Sequence, residues 1–171
     1  NNYSDKKDYF CNAEQIIWRV KTVNTLTLCR RVLFFAFYGP VLFLSKKNIT
    51  MREQIKALTL KYSNDVIQHY RHLHAHPELS FEEFLTAQYI QDQLTEMQIP
   101  FRAGIGGNGI LGRIEGINPQ KKVIALRADM DALPIDEAVD LPWKSKNENV
   151  MHACGHDAHT ACLLGAAKIL N

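Results

Sequence analysis

Four consecutive apolar residues, Val123-Ile124-Ala125-Leu126, set between Lys122 and Arg127, constrain the fold most. A short apolar run with polar ends fits a β-strand covered on both faces, as strands inside an α/β sheet are. The residues before it supply helices to cover it. Ile55, Leu58, Tyr62, Val66, Tyr70 and Leu73 recur at three- and four-residue steps, one apolar stripe of a helix that Pro77 ends. Ser80-Phe81-Glu82-Glu83 has the form of a capping box, which predicts a second helix to about Met97. Its expected core face is Phe84, Ala87, Ile90, Leu94 and Met97, and Pro100 closes it. A glycine-rich turn over 104–109 leads into a strand in which Ile110, Gly112 and Ile114 share a face. After the apolar run, Pro134 and Pro142 mark a loop, and the Ala- and Leu-rich stretch 158–170 predicts a buried helix holding Cys162. The order helix, helix, strand, strand, loop, helix predicts an α/β fold with helices packed on a partial sheet.

Residues 1–50 read differently. They show no sustained period, and their one coherent feature is the apolar stretch 32–45 behind Arg30-Arg31. At about 14 residues, broken by Gly39-Pro40, it is shorter than the roughly 20 a spanning helix needs. It has the size of a signal-peptide core. A signal or anchor, a natural extension packed on the domain, and translation upstream of a true start at Met51 compete, and the third is the expectation. Residues 1–50 are thus placed outside the fold and 51–171 inside it. A cytoplasmic protein follows from a start at Met51; export follows if 32–45 is a real signal.

Composition removes some functions. The net charge of +2, with basic residues dispersed and no interleaved aromatics, argues against a nucleic-acid partner. With 46% hydrophobic and 22% charged residues the chain is ordinary for a globular protein. The cysteines Cys11, Cys29, Cys154 and Cys162 form no disulfide pattern, so a reducing compartment is expected and Cys154 is free to act as a thiolate.

Two segments carry chemistry. Asp129 and Asp131 stand where the apolar strand runs into its loop, and sites of open α/β sheets gather at the carboxyl ends of strands. The bland alternative is a pair of loop aspartates capping backbone groups. The second segment packs His152, Cys154, His156, Asp157 and His159 into eight residues. Thiolate and imidazole suit a borderline-soft metal, and an extended stretch would put His152, Cys154 and His156 on one face. Gly155 permits a sharp turn, and the helix start behind it favours the thiolate. Asp157 is a candidate N-cap. Two other readings stay open: a nucleophilic Cys154 activated by histidine, and a small Cys/His metal or redox module without hydrolase activity. His69, His72, His74 and His76 are expected to be surface or packing residues.

The stretches LRADMDALPI (126–135) and HACGHDAH (152–159), with RHLH (71–74), PELS (77–80) and Glu83, resemble the M20 family of metallohydrolases in its N-acyl-amino-acid amidohydrolase and hippurate hydrolase branch. The resemblance runs from about Ile55 to Asn171. It implies the N-terminal portion of a zinc-peptidase-like catalytic domain, without the family's lid or dimerisation domain, and a homodimeric whole protein. It also implies two divalent ions (Zn, Mn, Co or Ni), with Cys154 and His156 as ligands. Asp131 would orient the site, and Asp129, His152 and His159 are possible additions. A glutamate base and further ligands are expected beyond Asn171. The substrate class implied is a small N-acyl amino acid, with no membrane association, and the fragment itself is expected to be inactive.

Overall fold

A computed structural model of the chain describes residues 49–171, and 15–21 as backbone. The apolar stretch 32–45 lies outside the described residues. Strand β1 (Gln15–Lys21) is followed by helices α1 (Met51–Ala75) and α2 (Phe84–Glu96), strands β2 (Phe101–Ile105), β3 (Gly109–Ile114) and β4 (Val123–Asp129), and helix α3 (His156–Leu170). The sheet order is β2-β3-β1-β4, with β1 parallel to β3 and antiparallel to β4. Sequence alone places residues 1–50 outside the fold, whereas here the backbone of 15–21 fills the gap between β3 and β4. The facing strand edges would otherwise leave backbone groups unpaired, and a segment rich in β-branched residues satisfies them.

Helix α1 begins with a reciprocal capping box between Thr50 and Glu53 and stops at Ala75, two residues before Pro77. The expected box at Ser80 does not form. Glu83 caps α2 without a side-chain bond, and the Glu78 carboxylate instead accepts from the N–H groups of Leu85 (3.1 Å) and Thr86 (2.7 Å). Ser80 is drawn away to Asp131. Ala87, Ile90 and Leu94 enter the core as expected, but Phe84, the first residue of α2, is exposed.

The core lies between α2, α3 and the sheet, built on Ile90, Leu94, Ile110, Ala128, Met130 and Leu164. Each large side chain fully buried there contributes roughly 1.5–3 kcal/mol. Helix α3 also lies on α1, close enough that a Cβ on Gly165 would meet Val66. Two expectations are corrected. Cys162 is exposed, since its neighbours Ala161, Leu163 and Leu164 take the buried positions. β4 is not covered on both faces: Val123, Ile124 and Leu126 are 45%, 39% and 36% exposed, since the core reaches the strand at Ala128, near its carboxyl end. Among the described residues no helix is long and apolar enough to cross a membrane.

Candidate metal centre

The carboxyl end of β4, the loop after it and the start of α3 are stitched by backbone bonds. Leu133 and Met151 exchange hydrogen bonds at 3.0 Å each, and the Ala132 N–H donates to the Glu78 carbonyl at 2.7 Å. This brings Asp131 to His156. The His156 Nδ1 lies 2.8 Å from Asp131 Oδ1 and 3.0 Å from the Asp131 carbonyl oxygen. Both neighbours only accept, so Nδ1 carries the proton and a neutral ring keeps its Nε2 lone pair for a ligand. Ser80 Oγ donates to the other Asp131 oxygen at 2.5 Å and fixes the carboxylate. Carboxylate, histidine and a free ring nitrogen form the arrangement that orients metal-binding histidines.

Gly155 sits at φ +84°, the left-handed region, and turns the chain into α3. That turn separates the side chains expected on one face: His152 and His156 are buried, while Cys154 is exposed. His156 is already the first residue of the helix, so the two-residue alternation stops at Gly155. Asp157 is not the N-cap. It lies in the first turn, buried, with Oδ1 accepting from the Ala158 N–H. His159 is exposed on the next turn, its ring 6.0 Å from that of His156. Asp129 points another way: Arg127 Nη2 donates to its Oδ1 at 2.6 Å, and Thr160 Oγ1 donates to its carbonyl oxygen.

Sequence reasoning missed His74 and Glu137. His74 is buried, with Nδ1 2.7 Å from Asp157 Oδ2 and Nε2 3.1 Å from Glu137 Oε1. Burial alone would lower its pKa, but the bonds to Glu137 and Asp157 overcome this and hold it above the ordinary value. Glu137 is held below the usual carboxylate range: burial pushes it up, but the Ser145 N–H and His74 outweigh that. The one available signal for His74 is its place within the family-like stretch RHLH (71–74). Glu137, in a loop, gave none.

Among the described residues no three His, Cys, Asp or Glu side chains converge as a metal cage. Two observations nevertheless fit a cation. His152 is buried with both ring nitrogens lacking a hydrogen-bond partner among the described residues, an arrangement folded proteins avoid unless something else fills it. Burial pushes its pKa down to about 4, so the ring is neutral and can donate a lone pair. The buried surroundings also hold three carboxylates (Asp131, Glu137 and Asp157) against the doubly bonded His74, a surplus of acidic groups that a cation would offset.

Residues 125–171 match the family described as peptidase family M20/M25/M40. The chain is 48% identical over 125 residues to an N-acyl-L-amino acid amidohydrolase of Geobacillus stearothermophilus, covering 70% of this chain and 32% of that protein. It is 52% identical over 98 residues to the hippurate hydrolase of Campylobacter jejuni, covering 57% of this chain and 25% of that one. Among solved structures, the Bacillus subtilis YXEP protein, described as a dinuclear metal binding peptidase from the M20 family, superposes with a TM-score of 0.53 at 37% identity. That match covers 67% of this chain and 31% of the other. The chain therefore spans about a third or less of the length of the relatives it matches. From β4 onward the sequence thus matches peptidase family M20/M25/M40, and the fold around it is similar to that of a solved M20 family protein.

Proposed function

We propose that this chain forms the N-terminal part, residues 51–171, of the catalytic domain of a metal-dependent hydrolase that cleaves the amide bond of N-acyl amino acids. The carrying observation is the His156 ring, whose Nδ1–H is fixed on Asp131 and whose Nε2 is left free. Cys154 and His156 would hold divalent metal, a pair of Zn, Mn, Co or Ni ions by analogy with the dinuclear relative. Asp131, steadied by Ser80, keeps His156 in the binding tautomer. His152 is available as an additional donor, and Asp129 and His159 are further candidates. Bound metal would supply Lewis acidity, polarising the acyl carbonyl and acidifying an attacking water. The buried polar shell would keep bulk water from the ligand side of that centre.

The substrate class comes from relatives named for N-acyl amino acids and hippurate. We also place the whole protein as a homodimer in the cytoplasm. Two free thiols, Cys154 and Cys162, fit a reducing compartment.

The test measures bound metal and release of free amino acid from hippurate and N-acetyl amino acids, with the 171-residue chain and the whole protein side by side. The chain alone should hydrolyse nothing. The whole protein should lose activity with a chelator, regain it with added divalent metal, and fail when Cys154→Ala or His156→Ala is introduced. Hydrolysis that survives thorough chelation but is lost in Cys154→Ala would favour a thiol nucleophile and overturn the metal reading.

A further inference from the structure

His74 lies in the last turn of α1, outside both chemistry-bearing segments, yet it contacts the flanks of one of them. Asp157, which meets its Nδ1, immediately follows His156 and is 83 residues along the chain from His74. Glu137, which meets its Nε2, belongs to the loop before the segment and is 63 residues away. Both partners are carboxylates, so both bonds require a proton on each ring nitrogen, and no neutral side chain of similar size supplies two opposed donors. The second Glu137 oxygen accepts from the Ser145 N–H at 2.6 Å, and Ser145 Oγ donates to the Val150 carbonyl at 2.7 Å. An unbroken line of bonds thus runs from His74 through Glu137 and Ser145 to Val150, just ahead of Met151. The same loop is pinned to the end of α1 by the Lys146 N–H on the Ala75 carbonyl (3.0 Å) and the Asn147 amide on the Pro77 carbonyl (2.7 Å).

We propose that His74 is a positioning residue: clamped between Glu137 and Asp157, it fixes both ends of the segment 151–157 and so holds Cys154 and His156 in register. The clamp is made entirely by the chain's own residues; its purpose for a metal rests on the metallohydrolase reading above. Without the ring, two buried carboxylates would lose their shared partner, and one relieves that by opening the loop to water. Because the loop is anchored to α1, its release frees the segment at its N-terminal end, while loss of the Asp157 bond frees it at its helical end.

The experiment compares wild type with His74→Gln and Glu137→Gln. On the metal-free 171-residue chain, amide exchange over 151–157, mapped by mass spectrometry, should rise on the order of tenfold or more, as expected for losing a hydrogen bond between charged groups. Exchange over 87–94 in the core should stay put, and nitrogen NMR should show both ring N–H groups of His74 in wild type. A single ring N–H, unchanged exchange over 151–157, or a rise spread equally through the core overturns the clamp. Should His74→Gln fail to fold, Glu137→Gln, which keeps the volume, decides alone. In the whole protein Glu137→Gln should weaken Co2+ binding about 10- to 100-fold, read from the cobalt–thiolate absorption; unchanged affinity overturns the positioning role. A wild type with no cobalt–thiolate signal removes Cys154 as a ligand instead, a failure the metal-free measurements do not share.

Discussion

Asp131 shows how much one side chain decides here. Its carboxylate takes Ser80 on one oxygen and His156 on the other, so it sets the tautomer of a ring whose far nitrogen is the useful one. Asp131→Asn keeps the shape but can present an amide N–H to Nδ1, which favours the tautomer with its proton on Nε2. Metal affinity of the whole protein should fall about 10- to 100-fold with little change in melting temperature, measured by competition with a chromophoric chelator. An unchanged affinity would mean that the backbone carbonyl of Asp131 alone orients the ring. At this scale the sequence was readable where residue types crowd together, as at Asp131, Cys154 and His156. It was silent where a contact joins distant segments: nothing local to Glu137 says that it faces His74.

Helix α3 carries the site at one end and a tight crossing in its middle. Gly165 packs on α1, where an added Cβ would lie 2.4 Å from Val66 Cγ2, too close unless the Val66 side chain or the helix crossing shifts. Gly165→Ala should therefore destabilise the chain by about 1–3 kcal/mol despite the better helix propensity of alanine. Adding Val66→Ala should recover most of the loss, and urea titrations of the four-member cycle would show the coupling. Equal losses in the presence and absence of Val66 would mean that the crossing relaxes freely. Periodicity reveals α1 and α2, and Ala and Leu richness reveals α3, because each helix follows a local rule. The start of α2 was misread because Ser80 fits two partners, a local backbone N–H or Asp131 far along the chain, and the sequence favours the local one. The cover on β4 was overread, since apolar character marks what a strand prefers and not what lies beside it.

For the molecule as a whole, buried histidines set opposing responses to pH. His152, with its pKa lowered by burial to about 4 from 6.5, stays neutral in the folded chain but protonates when unfolded. Stability is therefore lost as pH falls from about 6.5 toward about 4. His69 and His72, lowered by burial, act in the same direction. Glu137 adds to the acid limb, its stability lost as pH drops through its lowered pKa. His74 opposes them. Its raised pKa contributes stability that is complete below about 6.5 and is lost as pH climbs through the folded value. Denaturant midpoints of the metal-free chain should peak near about pH 6.5 and fall on both sides. His152→Phe should flatten the acid limb and His74→Gln the alkaline one, and a profile that rises steadily toward alkaline pH would contradict the imidazolium assigned to His74.

The bonded pairs His74–Asp157, His74–Glu137 and Ser80–Asp131 also have a kinetic meaning, since they join residues 83, 63 and 51 apart. Contacts of that span reward the chain only after long loops have closed, so they belong to the late side of the folding barrier. Weakening the clamp should speed unfolding and leave the refolding rate nearly untouched, with φ near zero at Glu137 and values well above it at Ile90 and Leu94. The part of the molecule that prepares for chemistry would then be the last to assemble and the first to let go.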